Sequence, residues 1–322
     1  MQDDTFENGL AGAPRDAVIE TCGLTRYFGT RCAVDSVSFQ VPRGSVFAFI
    51  GRNGAGKTTT IRMILGLLEP TRGTSTILGH DSSRLPPEAR SQIGYMAEGH
   101  PVHTWMRVGE YERFQRGLHS RWNQEIFAGI IDYFSIDRRT KAGHLSHGQR
   151  AGLHLAMTLA VEPEVLMLDD PATGLDPAAR RSLLEAMIHF TRSRERTIFF
   201  STHLLDDVER VADHVAVLDY SILRVCCSAD TFHERVHKLV ARFPCESERK
   251  LPSIPGLLRA TRSENRLVLV VANLNGRTER DLEELGAESV EELPISLEDA
   301  LIAHVGRQGD KGFLANRTGG AP

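Results

Sequence analysis

Several features that would assign a chain to other protein classes are missing from this sequence. No apolar stretch approaches the ~20 residues that a transmembrane helix needs, so any membrane span must come from a partner. The N-terminal residues are acidic and lack a hydrophobic segment, and we therefore expect no signal peptide. The 5 cysteines have no metal-binding spacing and are odd in number, which is typical of a reduced, intracellular protein.

A strong excess of charge is also absent. The 322 residues carry a formal net charge of -4, and 25% of them are charged, so the chain has no electrostatic footprint for nucleic acid. We predict that nucleic acid is not a partner. The length suffices for one large domain and a smaller second one, because domains mostly span roughly 100–200 residues.

What the chain does contain is a glycine-rich run between a strand pattern and a helix pattern. Residues 51–59 read GRNGAGKTT and follow the apolar residues 45–50. Glycines at the positive end of a helix leave backbone N–H groups clear for a triphosphate. Lys57 can then reach the β- and γ-phosphates, and the Thr58 hydroxyl can bind Mg²⁺, so the run predicts an ATP or GTP site. Its predicted nucleotide-binding residues are Gly51, Asn53, Gly54, Ala55, Gly56, Lys57, Thr58 and Thr59.

Polar residues end three further strand patterns. The apolar run from Val165 ends in Asp169 and Asp170, and carboxylates at the C-terminal edge of a buried parallel strand face the ligand crevice. Asp169 is predicted to hold Mg²⁺ through water, and Asp170 to accept a proton from the attacking water. Glu98 follows another strand and is either a contact to Mg²⁺ or to that water, or an ordinary solvated carboxylate. His203 ends the third strand, where the neighbouring motifs favour a functional over a structural histidine.

Two predicted helix starts carry capping residues. Ser146, Gly148 and Gln149 stand where a helix begins, so their N–H groups and hydroxyl form a second anion-binding end. Asp176 precedes Pro177 and is a good N-cap for the helix that follows.

A pair of aromatic residues precedes the glycine-rich run. Tyr27 and Phe28 lie in a predicted turn between antiparallel strands at residues 18–24 and 32–41. A ring at this position can stack on adenine, and Phe28 is the better candidate. The alternative, in which the ring packs under the sheet, fits the sequence about as well.

Taken in chain order, these motifs resemble those of the nucleotide-binding subunit of an ABC transporter, over roughly residues 18–230. Residues 51–59 match the Walker A motif, 145–149 the signature sequence, 166–170 Walker B, 174–177 the D-loop and His203 the switch histidine. The layout of the C-terminal region is similar to the tail of ABC-2 type exporter ATPases of bacteria.

The resulting fold class is α/β: a P-loop NTPase core with an antiparallel β subdomain and a helical subdomain, plus a small C-terminal α+β domain. The predicted boundaries are a disordered tail at 1–17, the ATP-binding domain at 18–230 with its helical subdomain at about 99–155, the accessory domain at 231–308 and a second disordered tail at 309–322. Helices are predicted at 229–240, 280–286 and 296–305, and a hairpin at 257–271.

The resemblance implies an ATPase that uses ATP and Mg²⁺ and works as a head-to-tail dimer. Ser146, Gly148 and Gln149 of one subunit would contact the γ-phosphate held by Lys57 of the other. The implied partners are an integral membrane permease and a second nucleotide-binding subunit, which is either a second copy or a related chain. The implied location is the cytoplasmic face of the cell membrane, where dimer closure would power export.

Two other functions stay open at this point. One is an ATP-dependent binding switch that closes but hydrolyses very slowly. The other is a soluble ABC ATPase that acts on DNA or ribosomes, although the single nucleotide domain and the lack of a basic face argue against it.

Three positions depart from the family pattern. Asp170 stands where the family has a glutamate that is one methylene longer, so hydrolysis should be slower unless the backbone compensates. Glu98 replaces the glutamine of the Q-loop, and its added charge predicts a shifted ion preference. His147 replaces the first glycine of the signature sequence, where it either projects sideways without consequence or donates toward the phosphates when protonated.

Overall fold

The computed structural model describes residues 16–192, 196–244, 254–263, 265–296, 299–300 and 303. The predicted tail at 309–322 lies outside these residues, as does the part of the first tail up to residue 15. Ala17 already belongs to the first strand. The chain packs as two units that divide between Cys226 and Cys227, and each unit is described by itself.

The first unit alternates strands and helices, in the order expected of an α/β domain. Its elements are β1 (Ala17–Phe28), β2 (Arg31–Pro42), β3 (Val46–Gly51), α1 (Lys57–Ile64), β4 (Arg72–Ile77), β5 (His80–Asp81), α2 (Pro87–Arg90), β6 (Ile93–Met96), α3 (Val108–Leu118), α4 (Gln124–Tyr133), α5 (His147–Leu159), β7 (Val165–Leu168), α6 (Pro177–Arg192), β8 (Thr197–Thr202), α7 (Leu205–Val211), β9 (His214–Asp219) and β10 (Ile222–Ser228).

The central sheet of this unit has the strand order β10-β9-β3-β8-β7-β6. Strand β3 runs parallel to β8 and β9, and β7 runs parallel to β6 and β8. Every residue of β3, β7 and β8 is buried, which explains their unbroken apolar runs. Because parallel strands end at the same edge, the residues that follow β3, β6, β7 and β8 converge there.

A second sheet, antiparallel and of strand order β2-β1-β4-β5, covers the predicted β subdomain. Strand β1 extends to Phe28, so the aromatic pair lies at the end of a strand and not in a turn. Strand β4 begins at Arg72, inside a segment whose sequence favours a turn, because it pairs with β1 from Thr25 to Ile19. Tertiary pairing here overrides the local preference of Gly73.

The helical subdomain is built from α3, α4 and α5 around an apolar cluster that includes Tyr111, Phe127 and Leu153. Helix α5 continues to Leu159, beyond the predicted end of this subdomain at about residue 155. Phe114 of α3 lies outside this cluster and is 54% exposed. Only the first turns of α3 pack on the cluster.

The second unit contains α8 (Ala229–Arg235), β11 (Val236–Arg242), β12 (Leu257–Ser263), β13 (Arg266–Ala272), α9 (Gly276–Glu284) and β14 (Ser289–Leu293). Its sheet has the order β12-β13-β11-β14. The predicted helix at 229–240 is wrong beyond Arg235, because Leu239 pairs with Leu269 across the sheet and both side chains are fully buried. The predicted helix at 296–305 lies largely outside the described residues.

Within the described ranges, no helix combines the length and the apolar character that crossing a bilayer requires.

Candidate nucleotide-binding site

A cavity of about 480 Å³ opens where the ends of β3, β6 and β7 meet the end of β1. Its size is typical of small-ligand pockets. The cavity is lined by Phe28, Arg31, Ala33, Asn53, Gly54, Gly56, Lys57, Thr58, Thr59, Glu98 and Asp170. Nine of these eleven residues were predicted from the sequence, and Arg31 and Ala33 were not.

The glycines of the loop are required by backbone conformation and by packing. Gly54 and Gly56 have φ angles of 81° and 109°, in the left-handed region. A Cβ on Gly56 would lie 2.3 Å from the carbonyl oxygen of Ala33, and one on Gly51 would lie 2.5 Å from that of Leu218. Helix α1 starts at Lys57 without a side-chain cap, so its first N–H groups remain available to an anion.

Lys57 is buried at the base of the cavity. Its Nζ atom donates to the carbonyl oxygen of Gly51 at 2.7 Å and lies 3.4 Å from that of Arg52. Burial lowers the pKa of Lys57, while the charges of Asp170, Asp169 and Glu98 act in the opposite direction. The ammonium group is therefore held within its own loop, close to where phosphates would enter.

Asp169 is held by two hydroxyl groups. Its Oδ1 atom accepts from Thr58 Oγ1 at 3.0 Å and from Ser201 Oγ at 2.9 Å. Its Oδ2 atom is buried and has no hydrogen-bond partner among the described residues. Burial raises the pKa of Asp169, and the two hydroxyl hydrogen bonds oppose this effect. An unpaired carboxylate oxygen beside a threonine hydroxyl fits a hard divalent cation such as Mg²⁺, which takes oxygen ligands and keeps several waters.

Asp170 and His203 form a pair at the same edge of the sheet. Asp170 Oδ2 lies 2.9 Å from His203 Nδ1, and its Oδ1 atom has no hydrogen-bond partner within the described part of the chain. The backbone of Asp170 has a φ of 45°, in the left-handed region, and its N–H donates to Ser201 Oγ at 2.8 Å. His203 does not line the cavity itself and reaches it through Asp170.

Of the aromatic pair, Phe28 is the one that lines the cavity. Phe28 is 48% exposed and Tyr27 is 40% exposed, so the alternative that either ring packs under the sheet is wrong. The guanidinium of Arg26 lies 4.8 Å from the centre of the Phe28 ring. Such an arrangement leaves an exposed ring beside the loop, where a base can stack.

Arg31 is the charged residue of the cavity that the sequence did not predict. It pairs with Phe28 across the turn between β1 and β2. A guanidinium nitrogen of Arg31 lies 3.9 Å from the point where a Cβ on Gly54 would stand. The short turn between Phe28 and Arg31 could have predicted this position, because a hairpin places the residues on either side of its turn opposite each other.

The residues of the signature motif lie away from this cavity in the single chain. Ser146 caps α5 by accepting from Gln149 N at 3.1 Å, and Gln149 Oε1 accepts from Ser146 N at 3.2 Å. Asp176 caps α6 by accepting from Ala179 N at 2.9 Å. A Cβ on Gly148 would lie 2.9 Å from Ala179 Cβ, so the two capped helix starts pack against each other.

His147 is exposed at the first position of α5. Its Nδ1 atom lies 3.9 Å from the point where a Cβ on Gly174 would stand, next to the predicted D-loop. Both interpretations of His147 stay predictions.

With this geometry in place, comparison with known proteins identifies the family. The family model described as ABC transporter matches residues 34–173. The chain is 33% identical over 208 residues to the Nod factor export ATP-binding protein I of Rhizobium sp. (strain N33). These residues cover 63% of this chain and 68% of that protein. The chain belongs to the ATP-binding proteins of ABC transporters.

Two other relatives in the ABC transporter family match a similar length of the chain. The bacitracin transport ATP-binding protein BcrA of Bacillus licheniformis is 32% identical over 203 residues, which cover 62% of this chain and 66% of that protein. The probable multidrug ABC transporter ATP-binding protein YbhF of Escherichia coli (strain K12) is 37% identical over 209 residues, which cover 62% of this chain and 35% of YbhF. The chain thus spans less than two thirds of the length of these two relatives.

Solved structures confirm the fold of this ABC domain. A structure of the ATP-binding subunit of an ABC transporter matches with a TM-score of 0.61 at 27% identity, and covers 67% of this chain and 92% of that chain. An ATP-binding cassette of an ABC transporter in its ADP conformation matches with a TM-score of 0.56 at 23% identity, over 66% of this chain and 92% of that one. The predicted P-loop NTPase core of α/β class is confirmed.

Proposed function

We propose that this chain is the ATP-hydrolysing subunit of an exporter, bound to a separate membrane permease at the cytoplasmic face of the cell membrane. The observation that carries the proposal is the cavity that brings Lys57, Thr58 and Asp170 together, with Asp169 directly behind Thr58. The functions for which two relatives are named, Nod factor export and bacitracin transport, support the export role.

In this proposal, the phosphates and the base of the nucleotide bind at opposite ends of the cavity. The N–H groups at the start of α1 and the ammonium of Lys57 hold the phosphates, and Phe28 stacks on adenine. Thr58, Asp169 and Glu98 would hold Mg²⁺, which neutralises phosphate charge when bound. Glu98 is exposed at the cavity, as a residue that contacts a cation through water would be.

Hydrolysis in this proposal depends on Asp170. Its unpaired Oδ1 atom accepts a proton from the attacking water, while His203 holds Oδ2 and fixes the direction of the carboxylate. The carboxylate of Asp170 is one methylene shorter than that of a glutamate. The backbone conformation of Asp170 and its bond to His203 must therefore set how far the base reaches.

Dimer closure would complete the site. Ser146, Gly148, Gln149 and Asp176 line no part of the cavity of their own chain, and the two capping residues, Ser146 and Asp176, are exposed. A second nucleotide-binding subunit, in head-to-tail orientation, would bring these caps to the phosphates held by Lys57. The partner is either a second copy or a related chain.

The test is purification of the full chain from its own membranes in mild detergent, followed by measurement of ATP turnover. A multispanning membrane protein should accompany the parent chain, and the complex should hydrolyse ATP. A Lys57→Ala variant should retain the membrane protein but lose nucleotide binding. Copurification of DNA or ribosomes without a membrane protein would contradict the proposal, and a complex without detectable turnover would favour the slow binding switch.

A further inference from the structure

We propose that Ser201 is a positioning residue for the hydrolysis just described, because one buried hydroxyl bonds to the carboxylate of Asp169 and to the backbone of Asp170. This inference rests on the proposed function. Ser201 lies near the end of β8 and is fully buried. It therefore acts through Asp169 and Asp170 and has no contact of its own with the cavity.

The hydroxyl of Ser201 makes one bond to each neighbour. It donates to Asp169 Oδ1 at 2.9 Å and accepts from the backbone N–H of Asp170 at 2.8 Å. A serine hydroxyl has one hydrogen to donate, so the direction of the first bond is fixed by the acceptor character of the carboxylate. Both partners of Ser201 are themselves almost fully buried, which keeps water from replacing either bond.

The first bond decides which oxygen of Asp169 is available. Ser201 and Thr58 both donate to Oδ1, so Oδ2 is left without a partner among the described residues. A carboxylate that rotated freely would present either oxygen, and its binding to a cation would weaken. Outer hydrogen bonds of this kind typically change metal affinity or activity by ~10–100-fold when removed.

The second bond holds the backbone of Asp170 in a conformation that aspartate adopts infrequently. The φ angle of 45° lies in the left-handed region. With the Asp170 N–H bound to Ser201, the peptide cannot rotate without leaving a buried donor unpaired. Since the direction of the Asp170 side chain follows from this backbone angle, Ser201 sets where the proposed base points.

A purely structural role explains Ser201 less well. The residues before it in β8, Phe199 and Phe200, are apolar and buried, and an apolar side chain would fill the Ser201 position without a polar atom. The two threonines of the strand bond to backbone groups instead: Thr197 accepts from Gly44 N, and Thr202 accepts from Leu204 N. In the described residues, Ser201 is the residue of β8 whose hydroxyl bonds to Asp169 and Asp170.

The experiment compares Ser201→Ala with Thr197→Val, which removes a hydroxyl of equal burial from the far end of the same strand. Fluorescent-nucleotide binding is measured in EDTA and then over a Mg²⁺ titration, alongside kcat, KM and thermal unfolding. For Ser201→Ala we expect a rise of the half-saturating Mg²⁺ concentration and a fall of kcat, each by ~10-fold or more. Nucleotide affinity in EDTA should stay within about twofold of the parent value.

Two results would contradict the role proposed for Ser201. The proposal fails if Ser201→Ala keeps both the Mg²⁺ dependence and kcat within twofold, or if Thr197→Val shifts them as much. Should Ser201→Ala not fold, Ser201→Cys keeps the volume with a weaker donor and must show the same shift in Mg²⁺ dependence. Because the Mg²⁺ titration reads binding alone, it tests Ser201 even if the parent chain has no turnover, an outcome that would instead contradict the proposed function.

Discussion

The Nδ1 atom of His203 lies 2.9 Å from the Oδ2 atom of Asp170. The two residues follow neighbouring parallel strands, β8 and β7, and meet because both strands end at one edge of the sheet. When Asp170 is ionised, this contact requires the proton of a neutral His203 to be on Nδ1, which leaves Nε2 as an acceptor. The shorter carboxylate of this chain is therefore anchored on one side and unpaired on the other.

Replacement of Asp170 by asparagine should nearly abolish ATP turnover. Asp170→Asn keeps the shape and a bond to His203 but removes the base, whose contribution is typically ~10²–10⁴-fold in kcat. Nucleotide affinity should change by less than about twofold, since the phosphate-binding groups are untouched. Single-turnover hydrolysis and nucleotide binding measure the two effects. Asp206→Asn is the control, because Asp206 is exposed and lies outside the cavity; parental turnover in Asp170→Asn would remove Asp170 from the mechanism.

Arg31 should contribute to affinity for the phosphates and Phe28 to affinity for the base. Arg31→Gln should weaken ATP binding by roughly 0.5–1 kcal/mol, because exposed charge pairs are worth little, and should leave adenosine binding unchanged. Phe28→Ala should weaken the binding of both ATP and adenosine, by about 1–3 kcal/mol if the base stacks on the ring. Calorimetry with ATP and adenosine separates the two residues. Tyr27→Ala, which removes an exposed ring outside the cavity, should bind both ligands as the parent does.

The buried side chain of His100 should make the fold sensitive to mild acid. Burial, with smaller contributions from His154, His147 and Arg150, lowers the pKa of His100 to about 4, against a weaker opposite effect of the Pro171 backbone. The unfolded chain takes up this proton near pH 6.5 and the folded chain only near pH 4. The free energy of unfolding should therefore fall as the pH drops through this window, by up to ~1.4 kcal/mol per pH unit.

His100→Asn tests this directly. Asparagine tolerates the left-handed backbone of His100, whose φ is 49°, and does not titrate. Urea unfolding at pH 7 and pH 5 should show a smaller loss of stability in the variant than in the parent chain. Some loss will remain, because burial also lowers the pKa of His154 and of His214. His80→Asn, at an exposed position, should leave the difference unchanged, and an equal loss in His100→Asn would contradict the assignment.

Two helical glycines should respond in opposite directions to the same substitution. A Cβ on Gly152 in α5 would lie 2.4 Å from the ring of Phe134, whereas one on Gly129 in α4 would meet nothing within 4 Å. Gly152→Ala should lower the free energy of unfolding by about 1–3 kcal/mol through overpacking. Gly129→Ala should raise it by roughly 0.5–1 kcal/mol, because alanine loses less backbone entropy in a helix. Denaturant midpoints measure both, and equal shifts would refute the packing argument.

The sequence predicts best where one residue type at one spacing has one physical use. The loop around Lys57 and the carboxylates after β7 fall in this class, and the structure brings Lys57 and Asp170 to one cavity. Prediction from the sequence fails where tertiary pairing decides which secondary structure a segment adopts. Apolar residues from Val236 to Val240 fit a helix as well as a strand, and pairing with β13 selects the strand. Arg31 was missed because its place depends on the β1–β2 register.

The contact between Gly148 and Ala179 ties the beginnings of α5 and α6 into one block, with no room for a side chain between them. Under the proposed function, a movement of α5 toward the opposite protomer must therefore either carry the start of α6 with it or open this packing, so the positions of Ser146 and Asp176 are coupled.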